Sequence, residues 1–150
     1  MAMKIAIGCD HGGYLLKSDV IGVIVELGHE ALDLGACSED PVDYVDFATA
    51  VARTVAAGEA DLGVLTCGTG IGMSIAANKV PGAYAARAEE CYSARMARLH
   101  NGANILCVGG RTIGPELARE AVRIFLSTEP SPEERHIRRR AKIRALESRP

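Results

Sequence analysis

The sequence predicts an α/β protein: a three-layer αβα sandwich around a doubly wound, five-stranded parallel sheet, with a basic helix at the C-terminus. Three observations carry this. Short β-branched runs alternate with longer stretches of helical periodicity along the 150 residues. With 16 Gly, 2 Phe and no Trp, the core must be built from Val, Ile, Leu and Ala. That mixture suits a parallel sheet covered by helices on both faces. Hydrophobic residues make up 48% and charged residues 24%. This is the balance of a chain that folds, and the length fits one domain over residues 1–150.

Each element follows from its local pattern. Lys4–Cys9 reads as a strand ending in Asp10-His11-Gly12-Gly13. Tyr14 to Leu27 has apolar residues at 15, 16, 20, 23, 24 and 27, a helical spacing capped by Gly28. Glu30–Leu34 is a weaker second strand, and Asp43–Ala57 a second helix stopped near Gly58. Leu62–Cys67 is a third strand, followed by Gly68-Thr69-Gly70-Ile71-Gly72 and a helix to Asn78. Ala83–Arg87 is a fourth strand, Glu89–Leu99 a helix and Asn104–Gly109 a fifth strand. Gly114–Ser127 is a helix with Pro115 in its first turn, and Glu133–Ser148 a basic helix projecting beyond the sandwich. Repeated strand–helix units force parallel strands with right-handed crossovers. Ligands then sit outside the C-terminal strand ends, and three loops are assigned there: Asp10–Gly13, Cys67–Gly72 and His100–Asn104.

Composition narrows the function classes. No apolar run reaches the ~20 residues of a membrane span, and Asp10 ends the first apolar stretch, so neither a span nor a secretory leader is expected. The five Cys, at 9, 37, 67, 91 and 107, are odd in number and form no CxxC pair. This argues against disulfides and structural zinc and points to a reducing cytoplasm. No spacing matches a metal site, and no metal or cofactor is expected. Net charge is −2, but residues 1–132 hold 10 Lys and Arg against 16 Asp and Glu, and residues 133–150 hold 7 against 3. Nucleic-acid binding through the basic tail would be steeply salt-dependent, and the acidic remainder disfavours it.

The strongest local feature is Cys67-Gly-Thr-Gly-Ile-Gly between a strand and a helix. Alternating glycines let the backbone turn tightly and present N–H groups to a phosphate or an oxyanion. The spacing is neither the dinucleotide fingerprint nor a P-loop, and a tight turn without ligand is the plain alternative. Cys67 abuts this loop and could act as nucleophile or base; the other four cysteines read as buried apolar residues. Asp10 and His11 end the first strand, where Asp10 could equally cap the next helix. His100-Asn101 could equally be a helix end. Arg135 and Arg139, four apart, share a helical face suited to a phosphate or simply to solvent, and Arg111 follows a strand end.

Taken together, GCDHGG at 8–13, VDY at 42–44, CGTGIGMSIAANK at 67–79, HN at 100–101 and RHIRR at 135–139 resemble the type B ribose-5-phosphate isomerase family, which includes galactose-6-phosphate isomerase subunits. The likeness runs from Lys4 to about Lys142 in unbroken motif order. It implies a metal-independent aldose–ketose isomerase of Rossmann-like fold. It also implies a homodimer or homotetramer whose active site lies at a subunit interface, with the C-terminal helix packed on the partner. By resemblance, Cys67 is the base that moves a proton between C1 and C2, and Thr69 assists. Gly68, Gly70, Ile71 and Gly72 belong to the anion hole, and His100 opens the sugar ring with Asp10 nearby. Asn101 contacts a hydroxyl, Tyr44 lines the pocket, and His11, Arg111, Arg135 and Arg139 hold the phosphate. Ribose 5-phosphate is the simplest substrate; a six-carbon 6-phosphate, or sugar-phosphate binding without turnover, are the rivals. Three departures bear on the sugar: Val45 where proline is common, Tyr84 in place of an arginine, and Glu133-Glu134 in place of two glycines.

Overall fold

The computed structural model describes residues 1–148. Five strands form one parallel sheet: β1 (Lys4–Cys9), β2 (Glu30–Asp33), β3 (Leu62–Cys67), β4 (Ala85–Arg87) and β5 (Ile105–Gly109). Their spatial order is β2-β1-β3-β5-β4. Six α-helices accompany them: α1 (Lys17–Glu26), α2 (Tyr44–Ala56), α3 (Ile71–Ala77), α4 (Cys91–Leu99), α5 (Pro115–Leu126) and α6 (Glu134–Ala145). The first four helices and α5 alternate with the strands and cover both faces, so the expected sandwich is the observed one.

Side chains alternate along the strands and divide the core in two. Ile5, Ile7, Val64, Leu106 and Val108 point to the layer of α1, α4 and α5, where Phe125 is fully buried. Ala6, Leu65, Cys67, Ile105 and Cys107 point to α2 and α3. The three central strands β1, β3 and β5 are buried almost throughout, as continuous apolar runs in a parallel sheet should be.

Several boundaries differ from expectation. The first helix opens as a 3-10 turn over Tyr14–Leu16. Strand β4 begins at Ala85 rather than Ala83, because Asn104 takes over the pairing before it. Its Oδ1 accepts the Tyr84 N–H at 2.7 Å, and its Nδ2 donates to the Gly82 carbonyl at 2.8 Å. Helix α6 ends at Ala145 and closes as a 3-10 turn over Leu146–Ser148. Two cysteines are not core residues. Cys37 is exposed in the long loop after edge strand β2, and Cys91 is half-buried at the start of α4.

Candidate active site

The order of the strands places a site. The chain leaves β1 for α1 on one face and leaves β3 for α3 on the other, so the loops after these neighbouring strands part and open a crevice. The Asp10–Gly13 and Cys67–Gly70 loops and the turn after β5 meet there. Gly12 allows the contact: a Cβ on it would lie 2.8 Å from the Gly68 nitrogen. The Gly110 N–H donates to the Cys67 carbonyl at 2.7 Å, and the Arg111 N–H to the Gly68 carbonyl at 3.0 Å. The Arg111 side chain then folds over Gly68.

Cys67 is 5% exposed and ends β3. Its Sγ accepts the Gly70 N–H at 3.0 Å. Gly70 has φ of +75°, the left-handed region that favours glycine, and this bend starts α3. The Thr69 hydroxyl accepts the Ile71 N–H at 3.2 Å. Among the described residues no protein acceptor meets the N–H groups of Gly68, Thr69 and Gly72. The loop is thus a small set of fixed donors around a sulfur, suited to a developing negative charge. Tyr44, at the start of α2, lays its ring against Gly72, where a Cβ would come within 2.7 Å of it.

Asp10 is 6% exposed, and its Oδ1 accepts the N–H groups of Gly12 at 2.8 Å and Gly13 at 3.1 Å. This carboxylate holds the loop in shape as an Asx turn; it does not cap the next helix, whose opening turn has Gly13 at its cap position and no side-chain bond there. His11 Nδ1 accepts the Val42 N–H at 3.2 Å, which leaves the ring proton on Nε2. Two other cysteines stay thiols. Burial raises Cys107 far above the ordinary range, with Cys67 adding to it, and burial also raises Cys9.

One expectation is corrected. His100–Asn104 does not lie with these loops. It follows a helix and precedes β5, so it sits at the N-terminal edge of the sheet, where the Asn104 carbonyl accepts the Gly63 N–H at 2.8 Å. Asn104 is five residue steps from Gly109, which pairs with Cys67, a span of roughly 16 Å. At the far edge a second cluster forms. His100 stacks on His136 of α6, and a hollow of about 180 Å³ is lined by His100, Asn101, His136, Arg139, Arg140 and Ile143. Arg140 anchors α6 by donating to the Ser131 carbonyl at 2.9 Å. Arg135 is engaged by Glu133, with Nε 2.7 Å from its carboxylate.

Sequence reasoning missed the braces around both clusters. Arg87, Glu89 and Thr112 surround the Cys67 loop, and His136 supports His100. A charged pair at the end of a short strand, Arg87 its last residue and Glu89 two further on, was the only hint of the first. No group of three or more His, Cys, Asp or Glu that could hold a metal forms among the described residues, and no described helix is long and apolar enough to cross a membrane.

Comparison with known proteins agrees with this geometry. The family model described as Ribose/Galactose Isomerase matches residues 5–143. The chain is 45% identical over 146 residues to ribose-5-phosphate isomerase B of Escherichia coli, covering 97% of each. It is 39% identical over 142 residues to D-erythrulose-4-phosphate isomerase 2 of Mycolicibacterium smegmatis, covering 89% of this chain and 90% of that one. The solved type B ribose 5-phosphate isomerase of Trypanosoma brucei superposes with a TM-score of 0.94 at 50% identity, over 97% of this chain and 99% of that one. With a parallel sheet in this order, a cysteine set in a loop of backbone donors and full-length relatives of one kind, the chain belongs to the ribose/galactose isomerase family and is an aldose–ketose isomerase.

Proposed function

We propose that the protein interconverts ribose 5-phosphate and ribulose 5-phosphate through an enediolate, with Cys67 as the base and no metal, in a site shared by two copies of the chain. The observation that carries this is the Cys67 sulfur held at 3.0 Å from the Gly70 N–H inside a loop of further backbone donors. Isomerisation removes a weakly acidic proton from C2 of the open-chain aldose. The Cys67 thiolate takes it, the C–H electron pair forms the C1–C2 double bond, and the carbonyl pair moves onto oxygen. Loop N–H groups from Gly68 to Gly72 meet that charge, and each such donor is worth on the order of 10²–10³ in rate. Thr69 passes a proton between the two oxygens, and the Cys67 thiol returns its proton to C1 to give the ketose. A positioned base contributes roughly 10²–10⁴.

The two clusters lie at opposite edges of one sheet, so a second copy must supply His100, which opens the sugar ring, and Asn101. Arg111 and His11 of one copy and Arg135 and Arg139 of the other then grip the phosphate, holding the sugar in register. The surface supports this pairing. Tyr44, Val45, Ile71 and Ile75 are all exposed beside the Cys67 loop, and α6 exposes Ile137 and Ile143 while burying little but His136. The test is turnover of ribose 5-phosphate with a chelator present, in wild type and Cys67→Ala. Chelator-resistant turnover that disappears in the variant is expected. An inactive wild type would shift the substrate to another sugar phosphate, and an active variant would remove Cys67 as base.

A further inference from the structure

The peptide bond between Thr69 and Gly70 is gripped at both ends. Its N–H donates to Cys67 Sγ at 3.0 Å, and its carbonyl accepts from Arg87 Nε at 2.5 Å. The two groups are the ends of one conjugated amide. A cation on the oxygen draws density from the nitrogen and makes the N–H a stronger donor. A thiolate gains more from such a donor than a thiol does, because hydrogen bonds to ionised acceptors are the stronger ones. Arg87 ends β4 and is fixed from its far side, where NH2 meets Glu89 Oε2 at 2.7 Å. The other Glu89 oxygen accepts the Gly109 N–H at 3.0 Å and the Thr112 hydroxyl. None of the roles implied by resemblance falls on Arg87 or Glu89.

We propose that Arg87 is a positioning residue for Cys67, stabilising its thiolate through the Thr69–Gly70 peptide. This rests on the reading of Cys67 as the base. Other charged or titratable groups come to the Cys67 loop from several elements: Cys107 on β5 beside Cys67 itself, Asp10 after β1 on Gly12, Arg111 after β5 on Gly68 and Tyr44 on α2 on Gly72. Helix α3 brings no acid to its first turn and no base to its last. Glu89 compensates the Arg87 charge at close range, so little of its field reaches further. The influence runs through the amide that the two residues share.

The experiment measures the rate at which iodoacetamide alkylates Cys67, read by mass spectrometry of the peptide that carries it, so that Cys37 and Cys91 do not interfere. Arg87→Met is expected to slow alkylation at pH 7 on the order of 3–10-fold, yet leave it unchanged at alkaline pH, where both thiols are ionised. Turnover should show kcat reduced and KM for ribose 5-phosphate unmoved. Arg87→Lys, which keeps a cationic donor, should restore part of the rate. Glu89→Gln keeps an acceptor for Gly109 and Thr112 and leaves Arg87 uncompensated, so its alkylation should be as fast as wild type or faster. If Arg87→Met and Glu89→Gln slow alkylation alike, at both pH values, the pair is only a strut and the proposal is overturned. Wild-type alkylation in Arg87→Met overturns it too. Alkylation does not depend on turnover, so this failure is distinct from that of the base assignment, which Cys67→Ala alone decides.

Discussion

The imidazole of His100 lies flat on that of His136, with ring centroids 4.2 Å apart and planes 9° from parallel. His136 is 4% exposed, and its Nε2 finds no hydrogen-bond partner among the described residues. Burial, then the neighbouring His100 and Arg135, hold His136 below the ordinary imidazole value of 6.5, with Glu133 opposing. The unfolded chain therefore takes up this proton at a higher pH than the folded one does. The stability involved is complete above about pH 6.5 and is lost as pH falls from there through the lower folded value. The melting temperature should fall on acidification from pH 7 to pH 5, and His136→Phe, which keeps a stacking ring, should flatten that fall. An equal slope in both proteins would contradict it.

The distance between the two clusters predicts complementation. If, as proposed, two copies of the chain share each site, Cys67→Ala and His100→Asn are each expected to be inactive when purified alone. Unfolded together in equal amounts and refolded, they should recover about a quarter of wild-type turnover, since half the dimers are mixed and each mixed dimer has one intact site. No recovery would mean that Cys67 and His100 do not meet across subunits.

Glycines here are constrained for different reasons, and their alanine variants should separate. A Cβ on Gly13 would fall 2.1 Å from the Thr66 carbonyl oxygen, inside the backbone of β3. Gly13→Ala is expected to cost about 3 kcal/mol or more. Gly28 has φ of +78° with open space around it, so Gly28→Ala meets only conformational strain, about 1–2 kcal/mol. Urea denaturation of the two variants measures the difference.

The Glu133–Arg135 pair is exposed, with side chains 57% and 59% accessible, so the attraction itself is weak. Releasing Arg135 by Glu133→Gln should lower KM for the sugar phosphate by less than about fivefold. Arg139 has no carboxylate partner among the described residues. Arg139→Gln should therefore raise KM more than Arg135→Gln does. Steady-state kinetics at low salt would show it, and a reversed ranking would refute it.

Much of this was legible in the sequence, for identifiable reasons. Buried runs such as Leu62–Cys67 stand out because a parallel sheet is apolar on both faces. The Gly68–Gly72 loop stands out because the left-handed bend at Gly70 favours glycine. The misplacement of His100–Asn104 was avoidable. A residue that follows a helix and precedes a strand returns to the N-terminal edge, so strand–helix alternation alone sets its side. The Arg87–Thr69 bond was not legible, because it joins β4 to the β3 loop across an intervening strand. Nor was the order of the strands, since β3, β4 and β5 read alike whichever of the last two lies next to β3.

That order has a consequence for synthesis of the chain. Strand β4 leaves the ribosome before β5, yet β5 is its one partner in the sheet and also the neighbour of β3. A nascent chain ending before Ile105 therefore carries β4 with nothing to pair with and β3 with a bare edge. Stalled chains of that length should remain open to protease through residues 71–99, and those carrying β5 and α5 clear of the tunnel should resist. Growth of the sheet thus waits for its next-to-last strand in space, and the newborn polypeptide passes through a sticky interval that a chaperone would be suited to cover.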